Sequence, residues 1–163
     1  MSLRIARIET FLYRAEVREP VKASFGSMQH RSALLLRVQD TAGAHGWGEI
    51  WCNFPPYSAD NKARLMETVV APAAFAGQYN DAAEAWHALT ARTRRMTIQS
   101  GEHGPIAACL AGLDLALWDL AARRAGVPLR RLLPPLRVGG AMAIDLSPLV
   151  LLVGLQILIS ILR

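Results

Sequence analysis

Hydrophobic residues recur with the period of a helix between Gly104 and Leu133, the most strongly patterned stretch of the chain. It reads GPIAACLAGLDLALWDLAARRAGVPLRRLL, and Ile106, Cys109, Leu110, Leu113, Leu117 and Leu120 fall at three- and four-residue steps. At 3.6 residues per turn this predicts one helix of about six turns. Gly104-Pro105 supplies a start, because proline fits the first turn where its missing N–H is not needed. Gly126 followed by Val127-Pro128 supplies a stop. Leu115 and Trp118 widen the apolar surface until little of the circumference stays polar, so the helix is expected to be central and mostly buried. Ala107, Ala108, Ala111, Gly112 and Ala116 permit close backbone approach. Asp114 lies inside the apolar run, where a carboxylate is costly unless it is paired or hydrogen-bonded. Asp119 and Arg123 are four apart and suited to pair on an exposed edge.

Upstream the pattern changes from helical to alternating. Residues 3–15 (LRIARIETFLYRA) and 31–39 (RSALLLRVQ) read as strands, and His45 to Cys52 (HGWGEIWC) as a third, its glycines allowing another backbone to come close. Residues 16–30 (EVREPVKASFGSMQH) have no period and are punctuated by Pro20 and Gly26, which reads as a loop. Residues 40–44 form a turn and residues 53–57 a second, aromatic-rich loop. Ser58 or Asp60 is then expected to cap a helix carrying Leu65, Met66, Val69 and Val70, ended or kinked by Pro72. Asp81 with Glu84 resembles a capping box. The helix that follows is expected to carry Trp86, Leu89 and Met96 on one side and Arg92, Arg94 and Arg95 outward. Three strands joined by short turns, then three helices, predict an α+β fold: an antiparallel meander covered by a helical bundle.

The tail breaks the style of the rest. A short strand-like run, AMAIDLSP (residues 141–148), precedes Leu149 to Leu162, LVLLVGLQILISIL. That run is short of the roughly 20 residues needed to cross a bilayer. It lacks an amphipathic face and is expected to be covered by protein, a second copy or a partner chain; attachment to a membrane surface is disfavoured for the same reason.

Composition narrows the function classes. Of 163 residues 52% are hydrophobic and 19% charged, which favours a folded chain over a disordered one. The net charge of +5 comes mostly from scattered arginines rather than a basic stripe interleaved with aromatics, which argues against a nucleic-acid partner. Cys52 and Cys109 have neither metal spacing nor a disulfide framework. The four histidines show no ligand pairing, and Gly43, Gly46 and Gly48 do not match a dinucleotide loop. Glu49 and Asp114 read as structural. No constellation makes a complete catalytic site, and no leader pattern opens the chain, so a cytoplasmic location is expected.

The element order, GWGE at Gly46–Glu49 and LAGLDLALWDLAARRAGVPLRRLL at Leu110–Leu133 together resemble the enolase superfamily, in its mandelate racemase and muconate lactonizing enzyme branch. The resemblance covers roughly residues 3–147. It implies that residues 1–135 are the N-terminal capping domain and that residues 136–163 hold the start of a barrel followed by the divergent apolar tail. Two departures stand out: Pro134-Pro135 where the family has paired glycines, and an apolar run where an amphipathic helix should follow Pro148. In that family a proton α to a carboxylate is removed, Mg2+ stabilises the enediolate, and the acid–base and metal residues lie on later barrel strands. The resemblance therefore implies no catalytic and no metal residue in this chain, with Mg2+ needed only by full-length relatives, and no activity for the chain alone. What carries over is a cap that shapes the pocket for small carboxylates such as acid sugars. Its two loops correspond to about Val17–His30 and Trp51–Tyr57, with Ser24, Phe25, Met28, Trp51, Asn53, Phe54 and Tyr57 as substrate-contact candidates. The alternative reading is a non-enzymatic module that self-associates through the tail.

Overall fold

The computed structural model describes residues 3–23 and 26–132. Expectations for Ser24, Phe25, the strand-like run at 141–148, the tail at 149–162 and the boundary at 135 fall wholly or partly outside the described residues.

Three strands, β1 (Ile5–Ala23), β2 (Gly26–Asp40) and β3 (His45–Ile50), form one antiparallel sheet in the order β1-β2-β3. Its helix-facing positions alternate as the sequence requires: Leu34, Leu36 and Val38 of β2 and Ile50 of β3 are fully buried. The meander is as expected, but the loop expected at residues 16–30 is not there. β1 and β2 instead continue as a two-stranded arm, with Glu16 opposite His30 and Val21 opposite Met28 across a register irregularity. Most of the arm is exposed on both faces. It therefore has no core to impose an apolar–polar period, which is why a strand there carried no alternating signal.

Helix α1 (Ser58–Leu65) starts without a side-chain cap; Tyr57 occupies the N-cap position, Ser58 is buried, and neither Ser58 nor Asp60 serves as expected. A π-helical turn (Met66–Val70) leads into α2 (Ala71–Phe75). Pro72 falls just past the widened turn. Helical structure continues past it to Phe75, since a proline in the first turn of a helix gives up no N–H that the turn needs. In α3 (Ala82–Ser100), Asp81 accepts the Glu84 N–H at 2.8 Å, while the Glu84 carboxylate accepts from the Asn80 N–H at 2.8 Å. The pair works as a capping box displaced by one residue. The buried face of α3 is Ala82, Ala85, Leu89 and Thr93; Trp86 and Met96 are largely exposed, contrary to expectation. Mostly small residues make up that face, and Arg92 turns back to donate to the Tyr79 hydroxyl at 3.0 Å and the Ala73 carbonyl at 2.9 Å.

Helix α4 (His103–Arg124) is the predicted central rod, followed after Gly126 (φ 65°) by α5 (Leu129–Leu132). All six residues of its predicted stripe are buried. It is long and apolar enough to cross a membrane by length and composition, but half of that stretch is buried inside this domain. Its circumference is less apolar in effect than expected: Leu115 is 41% exposed, and Ala107 and Ala111 face solvent. Asp114 is half-buried, and burial raises its carboxyl above the usual range against an opposing hydrogen bond from Trp118.

Helix α4 and strand β3 approach each other backbone to backbone. A Cβ on Gly48 would collide with the Gly112 carbonyl oxygen and lie 3.0 Å from the Ala116 nitrogen. A Cβ on Gly46 would lie 2.8 Å from the Leu120 Cα, and one on Gly112 3.0 Å from the Glu49 carbonyl oxygen. Backbone meets backbone along this seam. Asp119 closes its edge, accepting the Trp47 N–H at 2.9 Å and the Arg123 Nε–H at 2.7 Å. At the far end the buried Asp40 accepts the N–H groups of Ala42 and Ala44, at 2.8 and 3.0 Å, and pairs with Arg124. The turn, the sheet and the C-terminus of α4 are thus tied through one carboxylate.

Gly48→Ala is expected to cost about 3 kcal/mol, because overpacking against backbone cannot be relieved by a rotamer change. Gly104→Ala, where a Cβ meets nothing within 4 Å, is expected to be neutral or stabilising by up to about 1 kcal/mol. Urea unfolding of the two variants measures the contrast.

Candidate functional site

The helix-facing stripe of the sheet changes character toward the arm. After the apolar pair Leu12 and Leu34 the stripe turns polar: two residues on, Arg14 stands opposite Ser32, and two further, Glu16 opposite His30. β3 ends at Ile50, so β2 loses its neighbour there and Ser32 must find other partners. The segment from Trp51 to Tyr57 supplies them. Asn53 Oδ1 accepts the Ser32 N–H at 3.2 Å, and the Cys52 thiol donates to the Ser32 carbonyl at 3.5 Å. The segment then turns into α1, with the Ser58 N–H donating to the Pro55 carbonyl at 2.8 Å. Arg14 reaches across and forms an ion pair with Asp60 on α1.

These elements enclose a cleft of about 320 Å³ between the arm and the 51–57 segment. Its lining combines the apolar side chains of Met28, Phe54 and Pro56 with the polar ones of Arg14, Ser27, Gln29, His30, Ser32 and Asn53. A neighbouring depression shares Arg14, Ser32 and Asn53 and adds Tyr13, Arg31 and Glu49 from the open face of the sheet. Positive charge and hydrogen-bond donors mixed with apolar side chains suit a small molecule with an anionic end and a less polar body.

Of the expected contact residues, the structure brings Met28, Asn53 and Phe54 together in this cleft. Trp51 (59% exposed) and Tyr57 (68% exposed) flank the segment but lie outside the cleft wall. Ser24 and Phe25 lie outside the described residues. Arg14, Ser32 and His30 were missed. Their signal was the period of two that carries the Leu12–Leu34 face onto them, which is readable only once the register of the arm is known.

Neither cysteine offers an activated nucleophile near the cleft. Burial raises the Cys52 thiol, and Cys109, whose S–H donates to the Lys62 carbonyl at 3.3 Å, is pushed up to about 12. Among the described residues, no group of three or more His, Cys, Asp and Glu side chains is placed to hold a metal ion. The cleft's donor set, which holds no carboxylate, does not fit Mg2+.

Comparison with known proteins agrees with this architecture. Residues 7–134 match the family model for the mandelate racemase / muconate lactonizing enzyme N-terminal domain. A mandelate racemase/muconate lactonizing enzyme from Bordetella bronchiseptica RB50 is 47% identical and superposes with a TM-score of 0.73 over 82% of this chain and 34% of its own. An enolase superfamily member from Polaromonas sp. JS666 is 27% identical, with a TM-score of 0.65 over 96% of this chain and 42% of its own. The o-succinylbenzoate synthase of Geobacillus stearothermophilus is 29% identical over 72% of this chain and 30% of its own. The chain spans less than half the length of each.

Because only a thiolate reacts, Cys109 is expected to resist alkylation across the neutral and mildly alkaline range, below its raised value of about 12. Thiol titration at pH 8 should find Cys109 silent in the native chain and reactive in denaturant; native labelling at a free-cysteine rate would contradict the burial described.

Proposed function

The chain belongs to the mandelate racemase / muconate lactonizing enzyme family through its N-terminal domain, and on that premise we propose that residues 3–132 are a substrate-specificity cap. In this reading the arm and the 51–57 segment close over the mouth of a catalytic barrel and contact a small carboxylate whose α-proton is removed there. The observation that carries the reading is the shared cleft. Met28 from β2 and Asn53 and Phe54 from the loop face one cavity, beside the Arg14 guanidinium. Two separate chain segments that meet in one polar–apolar cleft are what selecting a substrate by shape and charge requires. The name o-succinylbenzoate synthase, borne by a relative, designates a carboxylate product and is consistent with the substrate class. The acid–base groups and Mg2+ belong, in this reading, to the barrel, and the cap's own work is to bind, orient and exclude water.

The 163-residue chain is expected to show no Mg2+-dependent exchange of α-protons for deuterium across a library of acid sugars and other carboxylates. Exchange above the protein-free rate would overturn the reading. Grafted onto the barrel of the Bordetella bronchiseptica relative, the cap carrying Phe54→Ala is expected to change the ranking of accepted carboxylates by about tenfold in kcat/KM, through KM more than kcat. An unchanged ranking would remove the 51–57 segment from substrate contact.

A further inference from the structure

Lys62 is one of two lysines in the chain and is only 5% exposed, although it lies on α1 among charged and polar neighbours. A buried ammonium is costly unless compensated. Among the described residues it forms no ion pair with a carboxylate. Its compensation comes from one place: Nζ donates to the Trp51 carbonyl at 2.6 Å and lies 5.1 Å from the centre of the Trp51 ring. A charge-assisted bond to a carbonyl together with a ring face makes a strong contact when desolvated.

We propose that Lys62 is the positioning residue of the 51–57 segment, its buried ammonium fixing the Trp51 carbonyl and ring and thereby placing Asn53 and Phe54 in the cleft. The proposal rests on the cap reading for its functional meaning, and its geometry is local. Trp51 is the first residue after β3, where ladder hydrogen bonds stop. A fixed carbonyl there sets the direction in which the chain leaves the sheet. Beyond Trp51 the segment is tied to Ser32 of β2 twice, by the Cys52 thiol to its carbonyl and by its N–H to Asn53. Lys62 is itself held: the Cys109 thiol donates to its carbonyl, so the anchor is tied to the central helix α4. The chain of contacts runs from the rigid rod to the contact loop without passing through solvent. An aliphatic residue at position 62 would fill the same volume and suit the buried site better. That an ammonium stands there instead is accounted for by the carbonyl it holds.

Two measurements test this on the 163-residue chain. In the native protein, acylation of Lys62 by acetic anhydride is expected to be at least about tenfold slower than that of the exposed Lys22, with equal rates in denaturant. Similar native rates would overturn the proposal. In Lys62→Met, which conserves volume and removes the donor and the charge, amide exchange of residues 51–58 is expected to rise about tenfold while residues 106–120 of α4 are unchanged. Lys62→Gln, which retains an N–H donor, is expected to recover part of the protection. Unchanged exchange at 51–58 in Lys62→Met, or a rise of the same size in α4, overturns the positioning role, the latter making Lys62 an ordinary core residue. Neither measurement uses a substrate. A failed anchor leaves the loop protected in Lys62→Met, whereas a failed cap reading leaves the substrate ranking of the Phe54→Ala hybrid unchanged.

Discussion

The seam between β3 and α4 is the constraint on which the rest of the domain depends. Gly46 and Gly48 on the strand and Gly112 and Ala116 on the helix bring two backbones together where any larger residue would hold them apart. That closeness lets a single helix bury Leu113, Leu117 and Leu120 against a sheet of only three strands. It also puts Asp119 within reach of the Trp47 N–H, so that the open edge of β3 is satisfied by a side chain of the helix that covers it. The remaining helices pack around this pair: α1 through the Cys109–Lys62 contact, and α3 through its alanine face.

Elements that take part in the core were legible in the sequence. The α4 stripe, the alternation at Leu34, Leu36 and Val38, the glycines of GWGE and the capping pair at Asp81 and Glu84 each obey a rule that burial or an orphan N–H enforces. What was not legible is where those rules have no purchase. The arm at residues 16–30 is extended because its backbone groups pair across the hairpin, and exposure on both faces leaves its side chains unpatterned. Trp86 and Met96 look like core residues, but the buried face of α3 is made by Ala82, Ala85, Leu89 and Thr93. Pro72 reads as a helix end or kink, and it falls instead in the first turn of a further short helix, α2.

The candidate site divides along the same line. Met28, Asn53 and Phe54 could be named because they lie in segments with loop-like composition, aromatics and a family resemblance behind them. Arg14 and Ser32 could not, since they continue a core stripe beyond the Leu12–Leu34 pair and become cleft residues only by register. Lys62 was invisible for a different reason: a lysine between Asn61 and Ala63 in a polar helix start reads as a solvated face. Its burial depends on the placement of Trp51, eleven residues earlier.

The exposed arm has an evolutionary consequence. Apart from the half-buried Met28, few of its described side chains between Glu16 and His30 are shielded from solvent, and surface substitutions change stability by only about 0.5 kcal/mol in either direction. Its hydrogen bonds are made by backbone, which any non-proline sequence supplies. The arm is therefore free to drift in chemistry while the seam at Gly48 and Gly112 is not. Side-chain chemistry can vary at one end of the sheet without endangering folding at the other.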